Sequence, residues 1–378
     1  MGKELSIYVH IPFCVRKCLY CDFLSFCCDE REISDYFRAL KAEIQMTSGD
    51  YQGFTVKSIF FGGGTPSYVD SLHIVSTLEC IRDNFDVSKE AEISIEVNPA
   101  SAILDKLTAY KEAGFNRISI GAQSLNDEEL KKIGRAHNAG MFYETFDNAR
   151  KAGFDNINVD IMSALPDQSF DSYMETLRKV VNLGPEHISA YSLIIEEGTP
   201  FYDMDLNLPD EDTDRQMYHE TRRFLSENGY HRYEISNYAR GNAGDTSYEC
   251  FHNKVYWKRG NYLGLGLGAS SMTNNVRWKN VSDFKLYHTD KLHLLRTDIE
   301  KLSRQDCMEE FMFLGLRLVE GVSISDFKVK FGRDIFDVYG KIIEKYISEK
   351  LLEQNGDHIC LTETGMDVSN TVMADFLF

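Results

Sequence analysis

Cys14, Cys18 and Cys21 form a CxxxCxxC array near the N-terminus, and thiols at spacings of four and three can converge on one metal centre. Three is the informative number. A structural zinc site takes four ligands, normally as two close pairs far apart in the chain, and no second pair follows here. A four-iron cluster on three cysteines instead leaves one iron without a protein ligand, open to a substrate or cosubstrate. Adjacent Cys27 and Cys28 cannot easily ligate the same iron and read as packing or redox bystanders. Cys80, Cys307 and Cys360 stand among apolar residues and look structural. Two further groups carry chemistry. FGGGTP at 61–66 supplies three glycines that let the backbone approach a ligand and offer N–H groups to a carboxylate, although alone it is also an ordinary tight turn. HNKVYW at 252–257 places an imidazole beside two flat aromatic rings, although read alone HN is usually a turn and YW usually core.

These residues need a scaffold that gathers them. Short β-branched and aromatic runs recur at Leu5 to Ile11, Val56 to Phe61, Glu92 to Val97, Arg117 to Gly121, Asn156 to Met162 and His187 to Ile194. Helical periodicity fills the gaps, as at Ile33 to Met46, Leu72 to Asn84, Leu104 to Ala113, Tyr143 to Lys151 and Phe170 to Val181. Six β-then-α units mean a parallel sheet, either open or closed toward a barrel. Polar residues fall just past the strand C-termini: Cys14, Gly62 to Thr65, Asn98, Gln123 and, near the end of the fifth run, Asp160. Loops at one mouth are how full or partial barrels build sites. Glu96 and Asp160 can then take ribose hydroxyls or an ammonium, Gln123 a ribose and Arg135 a carboxylate. Each alone reads as a solvated loop residue; together they suit a ligand that is part nucleoside and part amino acid.

Past residue 205 the rhythm breaks into a long helix, Asp210 to Asn228, a YEISNYA segment at 233–239 and GLGLG at 264–268. No ordered βαβ unit surrounds GLGLG, which weakens a dinucleotide-binding reading. From 301 to 378 the pattern is helical, with HICLTETG and a final amphipathic helix from Met366 to Phe376, as in a small helical or winged-helix-like domain. The expected division is 1–205, 206–300 and 301–378.

The whole chain of 378 residues carries a formal charge of −18, which argues against a duplex nucleic-acid partner. Residues 301–378 hold 9 basic and 14 acidic side chains, so the winged-helix-like part is not a DNA reader either. No segment resembles a signal peptide and no window approaches the roughly 18 apolar residues of a membrane span. The cytoplasm is the expected location, with acidity that suits a soluble carrier meeting protein partners.

VHIPFCVRKCLYCDF resembles the cysteine loop of radical S-adenosylmethionine (SAM) proteins, with an aromatic, Tyr20, just before the third cysteine. The resemblance implies a partial (β/α)6 barrel, a [4Fe-4S] cluster on Cys14, Cys18 and Cys21, and SAM chelated to the open iron. FGGGTPS, IEVNP, RISIGAQS, IGRAH and IEEGTP narrow it to the subgroup of the oxygen-independent coproporphyrinogen III oxidase. Residues matching Tyr8, Gly63, Gly64, Thr65, Glu96, Gln123, Arg135 and Asp160 bind SAM there. Two departures argue against decarboxylation: Phe23 stands where the oxidase has a fourth cysteine, and little chain precedes Cys14. HNxxYW and YEISN are similar instead to the HemW-type heme chaperones, which implies His252 as an iron ligand, with Tyr256 and Trp257 flanking the porphyrin. The expected function is binding heme and a SAM-chelated cluster and passing heme to an acceptor protein, membrane-associated hemoproteins among the candidates, with an electron donor for the cluster. The oxidase activity is the alternative.

Overall fold

Strand and helix alternate from the first described residue; the computed structural model describes residues 3–288 and 291–377. β1 (Lys3–Ile11) leads through the cysteine loop to α1 (Glu30–Ser48), which starts on a capping box: Asp29 accepts from the Glu32 amide and Glu32 accepts from the Asp29 amide. There follow β2 (Phe54–Gly63), α2 (Ser71–Asn84), β3 (Asp86–Val97), α3 (Leu104–Ala113) and β4 (Arg117–Gln123). Next come α4 (Asp127–Lys132), α5 (Ala139–Lys151), β5 (Ile157–Ser163), α6 (Phe170–Leu183) and β6 (His187–Ser192). β1 to β6 pair in sequence order, all parallel. All six predicted runs are strands, and the sheet has the mixed α/β character of the radical SAM fold.

Residues 206–300 build both flanks of that sheet. Beyond α7 (Glu211–Glu227), β7 (Tyr230–Arg232) and β8 (Asn237–Arg240) add antiparallel to β6. After the short helix α8 (Phe251–Trp257), β9 (Tyr262–Leu265) pairs parallel with β1. β10 (Ser270–Thr273), β11 (Val276–Asn280) and β12 (Arg296–Lys301) then extend the sheet to twelve strands. GLGLG is therefore a strand end and turn, and not a nucleotide loop. A Cβ at Gly266 would lie 2.5 Å from Tyr36 Oη and 2.7 Å from the His10 carbonyl, so only glycine lets this turn seat against β1 and α1, the two elements that flank the cysteine loop.

Side chains alternate across each strand. Leu5, Ile7, Val9 and Ile11 of β1, with their counterparts on β2 to β6, are buried in one apolar core that includes Tyr36, Phe37, Leu40 and Ile44 of α1. The opposite faces carry Ser6, Tyr8 and His10; Ser58 and Phe60; Glu92, Ser94 and Glu96; Arg117 and Ser119; Asn158 and Asp160; His187 and Ser189, all of them polar except Phe60. Several hydrogen-bond across the strands, as Ser58 to Ser6 at 2.7 Å, Ser119 to Asp160 at 2.9 Å and His187 to Asn158 at 2.6 Å. A full barrel fills this space with branched apolar side chains; here it is lined with hydrogen-bonding groups.

The C-terminal part has its own core around Phe311, Phe327, Ile343 and Ile359, and a three-stranded sheet of 322–323, 358–361 and 352–355. The predicted helix from Met366 to Phe376 is two short ones, Glu363–Asp367 and Ser369–Ala374, because Val368 leaves the helical conformation.

Candidate SAM and cluster site

The cysteine loop is strapped down by its own backbone. The Cys14 amide donates to the Phe26 carbonyl at 3.0 Å and the Phe26 amide to Pro12 at 2.8 Å, while the Leu19 amide reaches Ile133 beyond α4 at 3.1 Å. Cys14, Cys18 and Cys21 are all free thiols, each half-buried, and all line one cavity of about 730 Å³ at the strand C-termini. Cys14 Sγ lies 3.4 Å from Thr65 Oγ1, and Arg135 Nη1 donates to Cys18 Sγ at 3.8 Å. Burial raises the Cys14 thiol and pushes Cys21 up to about 11, so without a metal these groups are protonated. Among the described residues no three His, Cys, Asp or Glu side chains converge on a single metal ion. A four-iron cube accepts thiolates at three separate corners, and three thiols around an open cavity fit that larger group.

Tyr20, Gly63, Gly64, Thr65, Glu96, Gln123, Arg135 and Asp160 line the same cavity. Tyr8 does not: its hydroxyl lies 3.0 Å from His10 Nδ1, one layer below the glycine turn. The glycines work differently from the sequence reading. Their amides are already used, Gly63 donating to Glu96 Oε2 at 3.2 Å, Gly64 to Ile11 at 2.9 Å and, next to them, Thr65 to Phe13 at 2.8 Å. What glycine supplies is proximity: a Cβ at Gly64 would stand 2.8 Å from backbone atoms of Ile11 and Phe13.

Arg135 is anchored by Nη2 on the Gly121 carbonyl at 2.7 Å, and its buried Nε has no partner. Buried donors without partners are rare and mark a place for a ligand or water. Asp160 accepts from Ser119 at 2.9 Å and from Asn158 at 2.7 Å, which hold its carboxylate in one orientation. Burial, with the Asp160 charge behind it, pushes Glu96 up to about 8. The site thus offers two carboxylates to cationic groups and a guanidinium to an anionic one, which fits the ammonium, sulfonium and carboxylate of SAM.

Sequence reasoning missed Ser119, which fixes Asp160, and Tyr191, whose hydroxyl donates to Gln123 Oε1 at 3.2 Å across the mouth. The period-2 polar alternation of RISIGAQ and HISAYS was the signal available for both.

Residues 8–180 match the radical SAM superfamily, and 302–368 match the HemN C-terminal domain. The heme chaperone HemW of Lactococcus lactis is 34% identical over 381 residues, covering 100% of this chain and 98% of that protein. The chain belongs to the HemW family. HemW of Bacillus subtilis is 33% identical over 98% of the chain and 99% of its own length. Among solved structures, the coproporphyrinogen III oxidase HemN of Escherichia coli, a radical SAM enzyme, superposes with a TM-score of 0.86 at 26% identity, covering 100% of this chain and 90% of that one.

Within this HemW-family fold, Phe23 lies at the rim of the mouth, 57% exposed. His252, Tyr256 and Trp257, expected from the resemblance to contact heme, lie away from the cysteine loop. None of the three lines the cavity at the mouth. His252 is 2% exposed, with Nδ1 2.8 Å from Ser58 Oγ and Nε2 3.0 Å from Tyr256 Oη, so both ring nitrogens have a protein partner. Burial, then the Arg117 charge, lowers its pKa to about 3, which keeps the imidazole neutral.

Proposed function

We propose that this chain is a heme carrier of the cytoplasm that holds a [4Fe-4S] cluster on Cys14, Cys18 and Cys21, binds SAM in the barrel mouth, and passes heme to an acceptor protein. The observation that carries this reading is the single cavity that collects three free thiols, the glycine turn, Glu96, Asp160 and Arg135. The HemW relatives, named heme chaperones, supply the cargo.

In this reading Arg135 holds the SAM carboxylate, Glu96 and Asp160 neutralise its cationic groups, and Gln123, steadied by Tyr191, orients the ribose. When bound, the cluster supplies the single electron that can cleave the sulfonium of SAM. Glu96, protonated near neutral pH, gives up its proton when a cation arrives. Ser119 and Asn158 keep Asp160 aimed at the mouth.

Anaerobic reconstitution of the cluster, SAM titration by calorimetry and transfer of bound heme to an apo-hemoprotein test the reading. A chain that forms the cluster but neither binds heme nor releases it to any acceptor would overturn it. A second reading, oxidative decarboxylation of a porphyrinogen, is favoured by the full-length likeness to HemN. Vinyl product from coproporphyrinogen III under reducing, anaerobic conditions would establish it; Phe23 in place of a fourth cysteine argues for none.

A further inference from the structure

The HNKVYW segment has no part in the mouth, yet its surroundings are specific. Its first residues sit at the N-terminal end of the barrel, where Glu92 of β3 accepts from the Phe251 amide at 2.9 Å and the His252 amide at 3.1 Å. Ser58 donates to Ser6, so His252 Nδ1–H donates to Ser58 and Nε2 accepts from the Tyr256 hydroxyl. The imidazole lies against Phe60, centroids 5.1 Å apart and planes 26° apart, and Phe60 lies against Tyr8 at 6.4 Å and 25°. Tyr8 bonds His10, and the His10 ring is so close to the glycine turn that a Cβ at Gly63 would stand 2.4 Å from it. A continuous packed path thus runs from His252 to the turn at the mouth. At its other end the segment meets the C-terminal part: Arg317 stacks on Trp257 at 4.3 Å, and Lys258 pairs with Glu320 at 2.8 Å.

We propose that His252–Trp257 is a floor plate of the barrel, with His252 a positioning residue that sets the SAM site from beneath through Phe60, Tyr8 and His10, and that His252 is not the heme ligand. The plate also joins the C-terminal part to the barrel interior. This rests on the reading that SAM binds at the mouth, so the wild-type chain is measured first. If the reconstituted wild type binds no SAM, that reading fails and this proposal with it; a defect confined to the variants bears on this proposal alone.

The test uses the full reconstituted chain with two readouts, SAM affinity by calorimetry and the Soret band on titration with hemin. His252→Ala is expected to weaken SAM about five- to tenfold, the factor that one lost ordering hydrogen bond converts to, with Soret position and stoichiometry unchanged. His252→Asn, which can still bond Ser58 but cannot supply an imidazole, should recover much of the SAM affinity and keep heme. Phe60→Leu breaks the path without touching the segment and should weaken SAM alone. Should His252→Ala fail to fold, Phe60→Leu and His252→Asn decide. Loss of heme binding in His252→Asn overturns the proposal, and so does unaltered SAM affinity in Phe60→Leu.

Discussion

The two ends of the barrel are made of similar residues and behave oppositely. At the floor, histidines, serines, a glutamate and tyrosines satisfy one another: His187 lies between Asn158 at 2.6 Å and Tyr233 at 2.8 Å, His252 between Ser58 and Tyr256, and Glu92 caps α8. At the mouth, Arg135 keeps an unpartnered Nε and three thiols stand around open space. The floor's closure has exceptions: Trp257 Nε1 of α8, and between floor and mouth Ser94 Oγ and Arg117 Nε, neighbours in the β3–β4 register, are buried without partners. A polar cluster whose bonds close on themselves is architecture, and one that leaves donors and acceptors open is a site.

The largest expected effect lies at the mouth. Replacing any one of Cys14, Cys18 or Cys21 by alanine should abolish the cluster's visible absorbance, while Cys360→Ala leaves it intact; retention of a full cluster in Cys18→Ala would break the contrast. Next, Arg135→Gln or Asp160→Asn should weaken SAM about 10- to 100-fold, the range for a lost hydrogen bond to a charged group, with little change in melting temperature. Calorimetry and a thermal melt on the same samples check both halves.

The third prediction concerns pH. Glu96 titrates near about 8 and a cationic ligand needs its carboxylate, so SAM affinity should rise by up to about tenfold per unit as pH climbs toward 8, then level off. Without SAM, folding stability should fall over the same rise, since the folded chain holds a proton that the unfolded chain has already lost above the ordinary carboxylate range. Glu96→Gln should flatten both dependences. The smallest effect belongs to the floor. Tyr233→Phe removes a hydroxyl that bonds His187 and accepts from the Cys250 amide. It should cost about 1–3 kcal/mol in denaturant titrations and alter SAM binding less than His252→Ala does.

Much of the mouth was legible in the sequence, because each of its residues falls just after or at the end of a strand whose apolar face is unmistakable. Cys14, Gly63, Glu96, Gln123 and Asp160 follow from that placement. The floor was not legible. His252 comes from a helix that enters the barrel between β8 and β9; Tyr256 is its i+4 neighbour on that helix, but nothing local to HNKVYW says that Ser58 will take the other ring nitrogen. The twelve-stranded sheet was hidden for the same reason: β9 joins β1 across Ser6↔Tyr262, a pairing no local pattern encodes. The break at Val368 is likewise a tertiary matter, since the neighbouring residues keep a helical, amphipathic pattern.

That long-range pairing has a consequence in time. The cysteine loop leaves the ribosome more than two hundred residues ahead of its backing, β9 and the turn at Gly266 and Gly268. At about 5–20 residues per second, the interval is on the order of tens of seconds. During synthesis the loop that carries the three thiols therefore stands without that backing until β9 has closed against β1.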